Sequence, residues 1–321
     1  MKQLSPKSYE TPSQRLLDSA PLLGCRDVVK IFKSYLKGGF TALAGASISI
    51  RRGELLALIG ESGSGKTTLA KILAGLIQPT SGEVFFGDKP LAKMGSKDLL
   101  HFRRKVQFVP QYPDLALDPT WYIYDSIAEP LRIHKEARTR EEELEKVRSV
   151  SSRVGLGLDQ LRRKPRDLSG GELQRAVLAK AMVLSPDVVI ADEPTSMLDP
   201  STQAKIVHQL LEAKKENGFA VLFVTHDLSL AEAISNRVCV MLGGSMVESG
   251  AASDVFSSPL HPYTLSLLSG SASGLEMNRG TGCPFYSQCD ARMGACSKSS
   301  PPEFMTGKAR SVRCWLFGQD Y

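Results

Sequence analysis

The feature that most constrains the fold is a glycine-rich loop at residues 60–68. Its sequence, GESGSGKTT, matches the phosphate-binding pattern G-x-x-x-x-G-K-[ST] at every fixed position. The apolar run Leu55–Ile59 before it is typical of a buried parallel strand. Behind the loop, apolar residues recur with the spacing of one helix face: Leu69, Ile72, Leu73 and Leu76. The order strand, loop, helix indicates a site for nucleotide phosphates rather than a glycine-rich turn that carries Lys-Thr by chance.

The residue types in this loop suit a triphosphate. Glycines let backbone N–H groups approach the β-phosphate, and the following helix directs its positive N-terminal end at the anion. The Lys66 ammonium is predicted to reach the β- and γ-phosphates, and the Thr67 hydroxyl to ligate Mg²⁺. We therefore predict that ATP is bound by Gly60, Ser62, Gly63, Ser64, Gly65, Lys66, Thr67 and Thr68.

The composition sets broad limits on the protein class. The 321 residues allow one large or two modest domains with a substantial core. The formal charge of +6, with acids and bases interspersed, neither requires nor excludes a nucleic acid or an anionic membrane surface. No apolar run approaches the roughly 18 residues needed to cross a bilayer. Residues 1–22 are polar and have no signal-type apolar core, so we expect a flexible tail on a cytosolic protein.

Two acidic residues follow a second apolar strand. Val188 begins this strand, and Asp192-Glu193 ends it. Chemistry in parallel α/β sheets lies at the carboxyl ends of the strands, which favours a catalytic reading over ordinary turn acids. Asp192 is predicted to hold Mg²⁺ through its water shell. Glu193 is predicted to orient or deprotonate the attacking water.

Two further strands end in polar side chains. Gln111 follows the strand Val106–Val109, and its amide oxygen is predicted to meet Mg²⁺ or the attacking water. His226 follows the strand Ala220–Val224 and is predicted to hydrogen-bond the γ-phosphate. With Glu193, these two residues form the predicted catalytic set.

A second anion site is predicted at Ser169, Gly170 and Gly171. Ser169 suits an N-cap, and the two glycines leave backbone N–H groups bare at a positive helix end. Asp199 suits the N-cap of a later helix because Pro200 follows it, and this helix should stop at Gly218.

Two aromatic regions complete the set of candidates. Phe32 precedes the loop and could stack on adenine, with Tyr35 as the alternative and an ordinary core role also open. Residues 112–167 read as a helical insertion, with a charged helix at 138–154. Its aromatic residues offer contact surface: Trp121, Tyr122 and Tyr124.

In this order the motifs resemble the nucleotide-binding subunit of an ATP-binding-cassette (ABC) transporter. The corresponding stretches are Walker A at residues 60–67, the Q-loop Gln111, the signature at 168–172, Walker B at 188–192 with Glu193, the D-loop at 196–199 and the switch His226. The departures are mild. Phe32 replaces the commoner Tyr, and Met197 lies where such proteins usually have Ala.

The resemblance implies a fold and a set of partners. The fold is an α/β P-loop NTPase over residues 23–250, with a RecA-like core, an antiparallel β edge and a helical subdomain at about 112–167. Two ATPase subunits, identical or different, face head to tail, so that each signature, with Asp199, closes on the ATP of the other. Two membrane-spanning permeases receive the motion and an extracytoplasmic binding protein supplies cargo, with no nucleic acid involved. The chain would lie at the cytoplasmic face of the membrane.

The C-terminal tail indicates a smaller group within this family. Its His-Pro-Tyr-Thr stretch, at residues 261–264, and the cysteines behind it resemble the C-terminal extension (251–321) of dipeptide and oligopeptide importer ATPases. Nickel and metallophore importers belong to the wider group, so these cargoes stay open. A soluble ABC ATPase acting in DNA repair or translation is the alternative from another class. It is disfavoured because the chain carries one cassette and no heptad-rich arm.

Six cysteines in a cytosolic protein favour metal binding or free thiols over disulfides. Four lie in the tail and can supply a complete tetrahedral ligand set: Cys283, Cys289, Cys296 and Cys314. Their spacing matches neither a zinc ribbon nor a ferredoxin run. The resemblance implies a [4Fe–4S] cluster, while zinc and free or oxidised thiols remain alternatives. Cys25 and Cys239 lie outside this set, and Cys239 is predicted to be a core thiol.

Overall fold

Two β-sheets and a set of helices build the molecule. The computed structural model describes residues 20–33, 39–271, 282–307 and 309–318. Numbered along this part of the chain, the strands are β1 (Pro21–Phe32), β2 (Phe40–Arg51), β3 (Leu55–Ile59), β4 (Ser81–Phe86), β5 (Lys89–Pro90), β6 (Val106–Val109), β7 (Val188–Asp192), β8 (Ala220–Val224), β9 (Arg237–Leu242), β10 (Ser245–Ala251), β11 (Phe304–Gly307) and β12 (Arg310–Val312).

The helices are numbered over the same residues. They are α1 (Lys66–Leu73), α2 (Ser96–Lys105), α3 (Ile123–His134), α4 (Arg140–Arg153), α5 (Leu158–Leu161), α6 (Gly170–Met182), α7 (Pro200–Asn217), α8 (Leu228–Ile234), α9 (Ala252–Ser257), α10 (Pro262–Leu268) and α11 (Gly294–Lys298). Short 3-10 turns cover Leu91–Lys93, Pro113–Ala116, Pro165–Asp167, Tyr286–Gln288 and Trp315–Phe317. Within the described residues, none of these helices combines the length and apolar character that crossing a membrane demands.

The larger sheet determines where the functional residues lie. Its strand order is β11-β12-β10-β9-β3-β8-β7-β6. The strands β9, β3, β8, β7 and β6 run parallel, and β10, β12 and β11 continue the sheet antiparallel. The carboxyl ends of the parallel strands therefore meet at one edge, and the segments that follow β3, β6, β7 and β8 are brought together there.

The smaller sheet is antiparallel, with the order β2-β1-β4-β5. It lies beside the phosphate-binding loop and the β9–β10 turn, where the Ala44 amide donates to the Gly244 carbonyl at 2.9 Å. The predicted α/β fold with an antiparallel β edge is confirmed.

Each face of the larger sheet buries a different set of side chains. Val189 and Ala191 of β7 pack against α3, α4, α6 and α7, while Val188 and Ile190 of the same strand pack towards α1 and the smaller sheet. Since successive strand residues point to opposite faces, a continuous apolar run is needed to cover both. The apolar strands of the sequence have this character.

The C-terminal extension continues the main sheet. In the register of β10 with β12, Glu248 lies opposite Val312. A third core cluster joins β9 to the tail and includes Tyr263, Phe285 and three of the tail cysteines. The segment assigned from sequence to a small extension thus contributes two strands to the eight-stranded sheet.

Some boundaries differ from the sequence expectation. Residues 21–22, assigned to the N-terminal tail, belong to β1 because Leu22 is buried in the core and Pro21 pairs with Arg51. The charged helix expected at 138–154 is α4, which begins at Arg140. It starts there because the Thr139 hydroxyl caps it by accepting the Glu142 amide.

Candidate nucleotide site and cysteine pocket

The backbone of the phosphate-binding loop requires glycine at two close approaches. Gly60 has φ 146° and Gly65 has φ 107°, both in the region that side chains rarely adopt. A Cβ on Gly60 would lie 2.2 Å from the Met241 carbonyl oxygen, and one on Gly65 would lie 2.5 Å from that of Ala42. The loop is therefore pressed against both sheets, which only glycine allows.

Lys66 is held inside this loop. Its ammonium donates to the carbonyl oxygens of Gly60 at 2.8 Å and Glu61 at 2.9 Å. Burial lowers the pKa of Lys66, while the carboxylates of Glu193, Asp192 and Glu61 raise it. The only other buried side chain in residues 60–68 is Ser64, whereas Ser62, Gly63 and Thr67 are exposed and Thr68 is half-buried. The cation is thus aimed at the carboxyl edge of the sheet.

Thr67 and Asp192 form the contact expected of a magnesium site. The Thr67 hydroxyl donates to Asp192 Oδ1 at 3.1 Å. Burial raises the pKa of Asp192, the hydrogen bond from Thr67 lowers it, and the charge of Glu193 raises it further. Hydroxyl and carboxylate oxygens are the donors that Mg²⁺ prefers, and a cation here would offset the cost of burying the Asp192 charge.

Glu193 is the meeting point of the predicted catalytic residues. Its Oε2 accepts from Gln111 Nε2 at 2.9 Å and lies 3.3 Å from His226 Nδ1. The backbone of Glu193 has φ 45°, a left-handed conformation for a residue with a side chain. Its amide donates to the Val224 carbonyl at 3.0 Å, which ties the end of β7 to β8. Local strain of this kind clusters at functional sites.

Gln111 faces this site through its amide nitrogen. Nε2 also lies 3.4 Å from the Ser196 hydroxyl. The amide oxygen, which the sequence assigned to Mg²⁺ or water, is therefore on the other side of the group. His226 is largely exposed, with 63% of its side chain accessible, and can turn towards a ligand at little cost.

The signature segment is a capped helix start. The Ser169 hydroxyl accepts from the Glu172 amide, and Glu172 Oε2 accepts from the Ser169 amide at 2.8 Å, forming a capping box. A Cβ on Gly171 would lie 2.6 Å from the methyl group of Thr202. In the part of the chain that the structure describes, no hydrogen bond or ion pair joins this segment to residues 60–68. The structure does not bring the two anion sites of one chain together.

Asp199 and Phe32 have local partners. Asp199 caps α7 by accepting from the amides of Ser201 and Thr202 at 3.1 and 3.0 Å. The Phe32 ring is 40% exposed, with the Lys30 ammonium 5.1 Å from its centroid. An exposed ring can stack on a base, so the adenine role stays a prediction. The alternative, Tyr35, lies outside the described residues.

The aromatic side chains of the helical subdomain divide into two kinds. Trp121 and Tyr122 are exposed at 38% and 51%. The Tyr124 hydroxyl instead donates to Glu143 at 2.9 Å, so this residue holds α3 to α4. Of these three side chains, Trp121 and Tyr122 present exposed aromatic surface, with the Lys164 ammonium 5.8 Å from the Tyr122 ring centroid.

The four cysteines of the C-terminal tail lie around one cavity. All four are buried free thiols, and all line one cavity together with His261, Tyr286 and Trp315. Burial raises the pKa of Cys283 to about 11, and the other three thiols contribute to this rise. Outside the cavity, burial raises the pKa of Cys25 to about 12 and that of Cys239 to about 11. Cys239 is thus a core thiol, as the sequence indicates.

The side chains that line the cavity are not arranged as a preformed metal site. Within the described residues, no group of three or more His, Cys, Asp or Glu side chains is arranged to hold a metal ion. The arrangement of these side chains by itself favours neither a zinc ion nor an iron–sulfur cluster.

Sequence reasoning missed one residue that touches the nucleotide site. The Tyr263 hydroxyl accepts from the Glu61 amide at 3.0 Å. Tyr263 entered the sequence analysis only as part of the His-Pro-Tyr-Thr stretch. No local pattern could reveal a contact between residues 202 positions apart.

Comparison with known proteins agrees with this geometry. Residues 43–196 match the ABC transporter family, and residues 247–274 match the oligopeptide/dipeptide transporter C-terminal region. The oligopeptide transport ATP-binding protein OppF of Bacillus subtilis is 42% identical over 73% of this chain and 77% of its own length. The dipeptide transport ATP-binding protein DppF of Escherichia coli is 35% identical over 94% of this chain and 96% of its own.

A solved structure shows the same fold. The ATP-binding cassette MJ0796, in a dimeric post-hydrolysis state bound to ADP and Pi, superposes with a TM-score of 0.66 at 29% identity. The match covers 72% of this chain and 98% of that one. The chain therefore belongs to the ATP-hydrolysing cassettes of ABC transporters, in the group whose C-terminal region is that of oligopeptide and dipeptide transporters.

Proposed function

We propose that this chain is the ATPase subunit of an importer that drives the uptake of di- and oligopeptides. The observation that carries the proposal is the match of residues 247–274 to the C-terminal region of oligopeptide/dipeptide transporters. The relatives named for peptide transport support it, with identities of 35–42%.

The residues at the sheet edge suit hydrolysis of the γ-phosphate. Lys66 would bind the β- and γ-phosphates and stabilise the charge that develops on them. Mg²⁺, held by Thr67 and Asp192 with Gln111 beside them, would neutralise the phosphate oxygens. Glu193 would take the proton of the attacking water as its oxygen bonds to phosphorus and ADP leaves. His226, beside Glu193, would donate a hydrogen bond to the γ-phosphate.

A second ATPase subunit would complete the site. Ser169, Gly170 and Gly171 begin a capped helix that we propose binds an anion, and among the described residues no hydrogen bond joins it to the Lys66 site. Two ATPase subunits, identical or different, that face head to tail would place each signature, and Asp199, on the nucleotide of the other. The dimeric state of the similar cassette supports this arrangement.

The remaining partners would be two membrane-spanning permeases and an extracytoplasmic binding protein that selects the cargo. We propose that the surface receiving the permeases includes Trp121 and Tyr122, and their exposure supports this. The chain would then be a peripheral protein at the cytoplasmic face of the membrane, with no nucleic-acid partner.

The cargo is tested by uptake in cells that carry Lys66→Ala in place of the normal chain. Labelled dipeptides, longer peptides and nickel are supplied in parallel. Lys97→Ala is the matched control, because Lys97 is exposed on α2. We expect peptide uptake to stop in the Lys66 variant alone. Loss of nickel uptake alone would overturn the peptide assignment and favour the metal branch, and unchanged uptake of all three would reopen the soluble alternative.

We also propose that the cysteine pocket holds a [4Fe–4S] cluster. The four buried cysteines line one cavity, and burial raises the pKa of the Cys283, Cys289 and Cys314 thiols, which disfavours these three thiolates unless a cationic group compensates. Cys283, Cys289, Cys296 and Cys314 would be the ligands. Such a cluster supplies electron transfer or structural support.

The cluster is tested by iron and sulfide analysis of protein purified without oxygen. We expect iron and sulfide in the wild type and in Cys239→Ser, since Cys239 is a core thiol outside the pocket. Cys296→Ser should lose both. Zinc in place of iron, or equal metal in Cys296→Ser, would overturn the proposal.

A further inference from the structure

Tyr263 connects the C-terminal extension to the phosphate-binding loop. The side chain is fully buried, and its hydroxyl accepts a hydrogen bond from the Glu61 amide at 3.0 Å. Glu61 is the second residue of the loop. Burial raises the pKa of Tyr263 to about 12, so the hydroxyl stays neutral at physiological pH.

The residue that Tyr263 holds, Glu61, is one of the two residues whose carbonyl groups bind the Lys66 ammonium. The Glu61 carbonyl accepts both the Lys66 ammonium, at 2.9 Å, and the Ser64 amide, at 3.2 Å. A shift of the Glu61 residue would therefore move the cation and tilt the amides that face the phosphates. The far side of the loop has its own anchor, in which the Gly244 amide donates to the Ser64 carbonyl at 2.9 Å.

Tyr263 is held in turn by the cysteine segment. The ring of Phe285 packs edge-on against that of Tyr263, with centroids 5.6 Å apart, and Phe285 is 5% exposed. Phe285 lies two residues after Cys283, whose thiol lines the pocket. His261, another residue of the pocket wall, accepts the Tyr263 amide through Nδ1 at 3.0 Å. Pocket, aromatic pair and loop form one continuous set of buried contacts.

We propose that Tyr263 is a positioning residue for the phosphate-binding loop, and that the cysteine segment sets its position through Phe285. The inference rests on the ATPase activity of the family and not on the peptide cargo. Uptake that fails with normal ATP binding would count against the cargo proposal and leave Tyr263 untouched.

The first test is Tyr263→Phe in the full chain, which removes only the hydroxyl. Tyr124→Phe is the matched control, because its hydroxyl also makes one hydrogen bond, to Glu143 in the helical subdomain. Affinity for a fluorescent ATP analogue, the KM for ATP, kcat and Tm are measured for both variants. We expect Tyr263→Phe to weaken nucleotide binding and raise KM about fivefold to tenfold, with kcat within about twofold.

Tyr124→Phe should leave nucleotide affinity unchanged while lowering Tm by a similar amount. A purely structural role of Tyr263 would lower Tm in both variants and leave KM alone. Equal KM values for Tyr263→Phe and the wild type would overturn the proposal.

The second test is a double-mutant cycle with Phe285→Leu. If Phe285 acts through the Tyr263 hydroxyl, Phe285→Leu raises KM in the wild-type background and has little further effect in Tyr263→Phe. Independent, multiplying effects on KM would overturn the link to the cysteine segment. Loss of iron or zinc from Phe285→Leu is measured alongside, so that an effect through the pocket is seen directly.

Discussion

At the scale of single residues, Lys66 gives the clearest prediction for ATP binding. Its ammonium is buried among loop carbonyls and faces two carboxylates across the sheet edge. Charge-assisted hydrogen bonds contribute about 1.5–3 kcal/mol each, so we expect Lys66→Ala to weaken ATP binding about 10-fold to 100-fold. Titration with a fluorescent ATP analogue measures this, with Lys97→Ala as the control. Unchanged affinity would contradict the placement of the loop around the phosphates.

Replacing Glu193 should separate the binding of ATP from its hydrolysis. Glu193→Gln keeps the size of the side chain but cannot take a proton from water, so hydrolysis should fall by about 10²–10⁴-fold. ATP should still bind and hold two subunits together. Light scattering at saturating ATP and Mg²⁺ should therefore report a dimer. Glu232→Gln, at an exposed position on α8, should hydrolyse ATP as the wild type does. A monomeric Glu193→Gln protein would count against the head-to-tail arrangement.

The sequence predicts that the catalytic candidates lie together, but it does not predict their backbone and side-chain conformations. Gln111, Glu193 and His226 each follow a strand, and parallel strands end at one edge, so local pattern and topology predict the grouping. The left-handed backbone of Glu193 and the direction of the Gln111 amide depend on Val224 and Ser196, which are distant in sequence. Tyr263 was missed for the same reason, since its contact with Glu61 exists only in the fold.

At the scale of elements, local signals predict best. Helix α7 was expected between Asp199 and Gly218 because a capping carboxylate, a first-turn proline and a left-handed glycine are all local devices. The structure has it at Pro200–Asn217 with Gly218 at φ 71°. Strands β11 and β12 carry no such signal. They form because β10 offers an unpaired edge, about sixty residues earlier in the chain.

Glu143 links several side chains of the helical subdomain through hydrogen bonds. This buried carboxylate of α4 accepts from Tyr124, from Arg132 at 2.8 and 2.9 Å, and from Arg140. The hydrogen bonds from Arg132 are the largest cause of its lowered pKa. A lowered folded-state pKa stabilises the fold above the unfolded-state value, and this stabilisation is lost as pH falls through the folded-state value.

We therefore expect Glu143→Gln to destabilise the protein by about 1–2 kcal/mol at neutral pH, a modest figure because Arg132 is partly exposed. The difference from the wild type should begin to shrink as pH falls below the ordinary glutamate value of about 4.3, where the unfolded-state carboxyl binds its proton, and it should be lost as pH falls through the lowered pKa of folded Glu143. Urea unfolding at a series of pH values measures it. Glu145→Gln, on the exposed side of the same helix, should show no such trend. A constant difference between pH 7 and pH 3 would contradict the assignment.

At the scale of the whole molecule, one buried ion pair joins the extension to the cassette. The Glu248 side chain on β10 is fully buried and accepts from Arg310 of β12 at 2.8 Å. The same carboxylate accepts the amides of Leu260 and His261, both at 2.9 Å. It therefore fixes three separate segments: the sheet edge, the last strand and the turn that presents Tyr263 to the phosphate-binding loop.

Replacing Arg310 alone should lower the free energy of unfolding more than replacing Arg310 and Glu248 together. Arg310→Ala leaves a buried carboxylate without its counter-charge, and we expect it to lower the free energy of unfolding by about 3–5 kcal/mol. In Glu248→Gln with Arg310→Met, the glutamine oxygen still accepts backbone amides and no charge is buried. This double variant should recover at least half of the free energy of unfolding that Arg310→Ala loses. Chemical denaturation measures both, with Arg166→Ala as an exposed control that should change stability by less than about 0.5 kcal/mol.

The same variants report on the link between the extension and the nucleotide site. Loosening the turn at residues 260–263 should free Glu61, so Arg310→Ala should also raise the KM for ATP, and the double variant should restore it together with stability. If stability fell while the KM stayed constant, the ion pair would support the extension alone. If Arg310→Ala were as stable as the wild type, Glu248 would not need its cation, and the extension would be held mainly by its apolar cluster.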